Sequence, residues 1–206
     1  MRLSADARRA QIMAAAISVI AERGYAAASA TAIAITAEVA KGLIWRYFDD
    51  RDDLMRKTAE HIDERLRTEV VDQLDLSQPA TDIVRQALHH LALLTRTHAA
   101  ELRALDHIVH NLLTPEGDQR LSVHDYETGY RLQEELFARG IAEGSMNPAD
   151  TRVMAVTYQG AIDAMLGYLT AHPELKPAIY AEQLANLLIN GFGTRDHDVG
   201  PDDAGQ

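Results

Sequence analysis

The sequence predicts an all-helical protein, and three observations carry that expectation. Apolar residues recur at intervals of three and four along almost the whole chain. Glycine (12) and proline (6) are sparse, too few for the repeated tight turns of a many-stranded fold. No segment alternates apolar and polar residues over the length of a strand. The 206 residues suffice for one sizeable helical domain, or for a small domain joined to a medium one.

The elements follow in order. Ile12, Ala15, Ala16, Val19 and Ile20 define a first helix from about Asp6 to Arg23, with Gly24 as its stop. Ser29 can cap a short second helix that carries Ile33, Ala34 and Ala37 on one face. A third begins near Lys41 and carries Ile44, Tyr47 and Phe48. The acidic run Asp49 to Asp53 supplies a cap and a negative first turn for a long fourth helix, which suits the positive end of the helix dipole. That helix runs through Leu54, Ala59, Ile62, Leu66 and Val70 to about Leu76. Beyond Pro79, Ile83, Ala87, Leu88, Leu91 and Leu94 make one stripe, and Leu102, Leu105, Ile108 and Leu112 the next. Pro115 breaks it. A segment from about Asp118 to Glu143 carries Leu121, Tyr130, Leu132, Leu136 and Phe137. Pro148 suits a first helical position, so the last two helices are expected from about Ala149 to His172 and from about Pro177 to Phe192. The tail, residues 193–206, has little to bury and is expected to be disordered.

Composition excludes several functions. There is no cysteine, so thiol catalysis and cysteine-ligated metal centres are out. No run approaches the roughly 18 apolar residues of a membrane span. Glu22 and Arg23 interrupt the short apolar run from Ile12 to Ala21, so a secretory leader is not expected and the chain is read as cytoplasmic. The net charge of −11 argues against a protein that coats nucleic acid over its whole surface. The charge is uneven, however. Through Phe48 six basic residues outnumber Asp6, Glu22 and Glu38, a surplus of three, whereas the remainder carries 14 basic and 28 acidic residues. Only the first segment is suited to a polyanion.

That segment holds three short helices, and about four residues, Ala37 to Ala40, join the second to the third. This is the spacing of a helix-turn-helix, whose second helix enters the major groove of DNA. Lys41 and Gly42 open the third helix and Arg46 lies one turn on, which puts cations and an unobstructed backbone near a groove. The residues Arg9-Ala-Gln-Ile12, Ala21-Glu-Arg-Gly-Tyr25, Ile33-Ala34, Ala37-Glu-Val-Ala-Lys-Gly42, Ile44-Trp-Arg-Tyr-Phe48 and Arg51-Asp-Asp-Leu54 resemble the N-terminal domain of TetR-type transcriptional regulators. The match spans roughly the first 55 residues and several spaced positions. Beyond it the resemblance is one of helical layout alone.

The resemblance implies a helix-turn-helix DNA-binding domain over residues 1–48 and a helical ligand-binding and dimerisation domain over residues 49–192. It implies a homodimer, a palindromic double-stranded DNA operator, and a repressor released from DNA by a small-molecule effector. Carried over by position, Ser29 and Thr31 would reach phosphate or a base edge. Lys41, Gly42, Leu43 and Arg46 would face the groove, and Trp45, Tyr47 and Arg51 would grip the backbone. Phe48 reads as core. The chain departs from the family's pattern where Glu38 replaces the usual turn glycine, where Ala40 replaces a capping serine or threonine, and where Trp45 replaces tyrosine.

Elsewhere the residues suggest binding rather than chemistry. No nucleotide loop or nucleophile motif occurs, and Asp125, Glu127, Glu134 and Glu135 read as a solvated helix face, so no catalytic residues, cofactor or enzyme activity are expected. His107 and His110 share a helix face with Asp106, but half-buried polar histidines account for them better than a metal. A pocket needs an apolar wall with a few polar groups, and His107, His110, Tyr126, Tyr130, Tyr158, Gln159 and Asp163 are candidates. The acidic surplus leans toward a neutral or cationic effector. The eighth helix is apolar on two sides, with the small residues Val153, Gly160, Ala164 and Gly167 opposite the large ones; with Leu184 and Leu188 of the ninth they form the expected dimer face. The rival reading is a helical small-molecule or metal-binding protein whose DNA-binding segment has degenerated.

Overall fold

The computed structural model describes residues 4–112 and 127–192, and every regular element among them is a helix. Helix α1 spans Ala5–Arg23, and Ser4 caps it by accepting the Ala7 N–H at 3.2 Å. It ends at Gly24, whose φ of 81° a side chain would resist. A single 3-10 turn, Tyr25–Ala27, leads to α2 (Ala30–Thr36) and α3 (Lys41–Ile44). The longer helices are α4 (Arg51–Val71), α5 (Ala80–Thr97), α6 (Ala99–Asn111), α7 (Glu127–Ala142), α8 (Thr151–Ala171) and α9 (Pro177–Phe192).

Two apolar cores hold these helices. The first joins α1, α2 and α3 to α4 and α6, through Ile12, Ile20, Ile33, Ile44, Leu54, Ile62 and Ile108. The second joins α5, α7, α8 and α9, through Val84, Leu88, Phe137, Met154, Met165 and Ala185. Leu91 and Leu166 pack against both, so the cores are continuous. Gly140 marks the tightest point of the second. A Cβ there would lie 2.6 Å from Met146 Sδ and 3.1 Å from Ala80 Cβ.

The expected helices are present, but several boundaries moved. α4 stops at Val71, short of Leu76. The Asp75 carboxylate accepts the Ser77 N–H at 3.0 Å and the Ser77 hydroxyl at 2.6 Å, a local alternative to helix. Arg139 of α7 donates to the carbonyls of Leu76 and Gln78 and pins the loop. α8 begins at Thr151 because Asp150 caps it, accepting the N–H groups of Arg152 and Val153 at 2.8 and 3.2 Å. Pro148 therefore precedes the cap and is not the first helical residue. The expected beginning of the 118–143 segment and the tail lie outside the described residues.

Side chains from distant elements complete some helix ends. Pro79 offers α5 no side-chain cap, and the Glu143 carboxylate accepts the Ala80 N–H at 2.6 Å in its place. That bond, with the Ser145 hydroxyl, holds the Glu143 carboxyl below its ordinary range. Arg96 donates to the carbonyls of Pro173 and Leu175 at 3.1 and 2.7 Å and anchors the connection between α8 and α9.

Candidate nucleic-acid interface

The connection from α2 to α3 is the four-residue turn Ala37–Ala40. It ends α2 in a Schellman arrangement: the Val39 N–H donates to the Ala34 carbonyl at 2.9 Å, and the Glu38 N–H to the Ile35 carbonyl at 3.1 Å. This geometry demands a left-handed residue at position 38, and Glu38 has φ 54°, the sole non-glycine positive φ among the described residues. The side chain of Gln11 on α1 braces the turn by donating to the Ala37 carbonyl at 2.7 Å.

α3 starts without a side-chain cap at Ala40 and makes only one regular turn. It then tightens, with the Tyr47 N–H donating to the Ile44 carbonyl at 2.9 Å and the Phe48 N–H to the same oxygen at 3.1 Å. Ile44 and Phe48 are buried and root the helix in the first core. The opposite side exposes Lys41, Gly42, Trp45 and Arg46, while Leu43 and Tyr47 are half-buried. Neither Lys41 nor Arg46 has an ion-pair partner among the described residues. Trp45 is 41% exposed, too open for a core residue of its size. On α2, Thr31 is exposed. Ser29 is exposed too and uses its Oγ as the cap, accepting the Ala32 N–H at 3.2 Å, which leaves its hydroxyl proton free to donate.

Arg51 does not take the expected place. Its Nε donates to the Ala28 carbonyl at 3.2 Å and its Nη2 to the Tyr25 carbonyl at 2.8 Å, and its guanidinium stacks 4.3 Å from the Tyr25 ring centre. The side chain is half-buried and ties the start of α4 to the link between α1 and α2. The link's carbonyls draw the cation inward, that of Tyr25 while also accepting the Ala28 N–H at 3.2 Å.

The geometry of Glu38 yields a prediction. A left-handed non-glycine residue costs roughly 1–2 kcal/mol. Glu38→Gly removes that cost and one negative charge beside the groove-facing strip. Its melting temperature should rise by a few degrees, and DNA affinity should rise at 0.01 M salt, where the screening length is about 30 Å. The affinity gain should shrink at 0.15 M. Lower melting temperature with weaker binding would place the turn elsewhere.

The seven pocket candidates do not share one wall. Tyr130 and Tyr158 are buried in the second core, whereas His107 is half-buried on α6. His110 is exposed and bonded through Nδ1 to the Asp106 carbonyl at 2.8 Å. Gln159 is half-buried, Asp163 is exposed, and Tyr126 lies outside the described residues. On the expected dimer face, Val153 is 62% exposed and Gly160, Ala164 and Gly167 are exposed with it. Leu184 and Leu188 instead pack partly against the second core. The open large apolar residues of α9 are Ile179 and Leu187, at 54% and 73%. α9 is apolar around most of its surface, so the sequence did not separate its two faces.

The fold and the exposed strip of α3 define a helix-turn-helix DNA-binding protein. Residues 12–58 match the family described as bacterial regulatory proteins, tetR family. A relative, the HTH-type transcriptional regulator HbdR of Aromatoleum sp. (strain CIB), is 27% identical over 192 residues, covering 92% of this chain and 82% of its own. The fatty acid degradation regulator FadR from Bacillus halodurans superposes with a TM-score of 0.76 at 20% identity, over 92% of this chain and 97% of its own. A TetR-family transcriptional regulator from Rhodococcus sp. gives 0.75 at 19% identity, over 90% and 98%. The N-terminal helices thus match the tetR family of bacterial regulatory proteins, and the chain as a whole is similar to an HTH-type transcriptional regulator.

Proposed function

We propose that the chain is a cytoplasmic homodimeric repressor that holds a palindromic operator and releases it when a small molecule enters its helical body. Residues 1–48 form the DNA-binding domain in this reading, and residues 49–192 the ligand-binding and dimerisation domain. The exposed strip Lys41, Gly42, Trp45 and Arg46 carries the proposal, on a segment whose charge is opposite to that of the body. Lys41, Gly42, Leu43 and Arg46 face the groove. Ser29, Thr31, Trp45 and Tyr47 hold the backbone. The open apolar residues of α8 and α9, Val153, Val156, Ile179 and Leu187, support pairing of two copies. No described helix is long and apolar enough to cross a membrane.

A gel shift with DNA from beside the protein's own gene tests this reading, with sedimentation to show a species of twice the chain mass. Lys41→Ala and Arg46→Ala should each weaken binding without lowering the melting temperature. Loss of one phosphate contact should flatten the slope of log affinity against log salt by about 0.9. The second reading, a helical binding protein with a degenerate DNA-binding segment, draws on Glu38 and the uncapped Ala40. It prevails if the parent chain shifts no such fragment.

A further inference from the structure

Two polar atoms lie buried and unpartnered where α7 crosses α8. They are Gln133 Oε1 and the hydroxyl of Tyr158. Tyr158 is only 3% exposed, and its ring meets Phe137 edge-on at 5.6 Å. Gln133 and Phe137 are one turn apart on α7, and Gln159 follows Tyr158 on α8. The Gln133 side chain donates through Nε2 to Gln159 Oε1 at 2.8 Å, so both orphan atoms belong to one crossing. A buried polar group without a partner has lost its hydration and gained nothing in exchange. Buried polar atoms in this state call for a partner that the described residues do not supply.

The orientation of the glutamine amides is fixed from one end. Gln159 Nε2 donates to Asp163 Oδ1 at 2.9 Å. An ionised carboxylate only accepts, so it turns the Gln159 amide nitrogen toward itself and the Gln159 oxygen toward Gln133. Gln133 must then present its nitrogen to Gln159, and its oxygen is left without a hydrogen-bond partner among the described residues. That leftover atom is a pure acceptor. Tyr130, Phe137, Met154, Ile162 and Met165 supply apolar surroundings in the same core.

We propose that Gln133 Oε1, set by the Asp163–Gln159 relay, and the Tyr158 hydroxyl form the polar end of a binding site for an apolar molecule that bears a hydrogen-bond donor, a hydroxyl or an amine. This rests on the reading of the helical body as an effector site, and it adds the chemistry that the effector must present. Gln133 and Tyr158 select by hydrogen bonding, because a ligand lacking the donor leaves the buried carbonyl unpaired. Asp163 is a positioning residue and does not touch the ligand.

Matched probes test it on the full chain. Phenol is compared with toluene, and cyclohexanol with methylcyclohexane, at equal concentrations, by the shift in melting temperature. The donor-bearing member of each pair should raise it by about 2 °C or more, and its partner by less than half as much. Gln133→Met should abolish the difference. Asp163→Asn alters an exposed side chain and endangers folding least. It removes the fixed end of the relay, and it should reduce the preference while leaving binding of the apolar probes unchanged. Equal shifts within each pair, no shift with any probe, or a preference that survives Gln133→Met would overturn the proposal. Operator binding is not read in these assays. A parent that binds operator yet shows no donor preference defeats this inference alone, and the converse result defeats only the repressor reading.

Discussion

Phe137→Ala should lower the melting temperature more than any other single truncation of α7. The ring is fully buried in the second core, and it is the edge-on partner of Tyr158. Truncating a buried phenylalanine costs about 3–5 kcal/mol, because the lost transfer energy is joined by that of a cavity the neighbours cannot fill. For a chain of this size that corresponds to a fall of about 6–20 °C. Little collapse is available around it. Gly140 already brings α7 so close to Met146 and Ala80 that the helix has no room to slide inward. Thermal melting followed by circular dichroism checks the figure. The folded variant should still bind DNA with the parent's salt dependence, since the first core holds the DNA-facing strip and Phe137 belongs to the second. A fall of less than about 3 °C would mean that the α7–α8 contact is looser than its geometry indicates.

The sequence disclosed the helices because their burial is periodic, and periodicity survives errors in any one residue. Ile12, Ala15, Ala16, Val19 and Ile20 were expected on the inner face of α1, and they are its buried residues. Helix ends were less legible where a competing side chain decides them. Asp75 and Arg139 shorten α4, and Arg139 lies more than sixty residues from the loop it pins. Asp150 outcompetes Pro148 as the start of α8, since a carboxylate satisfies two N–H groups and a proline none.

The candidate interface was legible for a related reason. The turn length, the cation at the start of α3 and the buried Phe48 are local features, and Glu38 was suspect because it stands where glycine is expected. Gln11 was opaque. Its partner is a backbone carbonyl 26 residues away, and a carbonyl carries no signature in sequence. Gln133 was missed because a glutamine on a helix reads as a solvated residue until its neighbours on α8 are known. The tyrosines offered as pocket walls are aromatic enough for a pocket and also for a core, and burial decides which.

Arg51→Ala should destabilise the protein and weaken operator binding while leaving the salt dependence of binding as it is in the parent. The sequence pattern places Arg51 among the backbone-gripping residues, and a lost phosphate contact would flatten the salt slope by about 0.9. The structure places its guanidinium on the Ala28 and Tyr25 carbonyls and over the Tyr25 ring instead. Hydrogen bonds from a charged group contribute about 1.5–3 kcal/mol each, and stacking on an aromatic face about 0.5–2. The site is half-buried, so water recovers part of this, and a net loss of about 2–4 kcal/mol follows. Operator affinity should fall roughly tenfold, because freeing the link between α1 and α2 lets Ser29 and the start of α2 shift against the DNA, and a factor of ten is about 1.4 kcal/mol. Arg51→Lys should recover little of either loss, since a single ammonium cannot span two carbonyls and stack on a ring as a planar fork does. The measurements are melting temperature and operator affinity over a salt series for both variants. An unchanged melting temperature together with a flatter slope would sink the assignment and return Arg51 to the phosphate backbone.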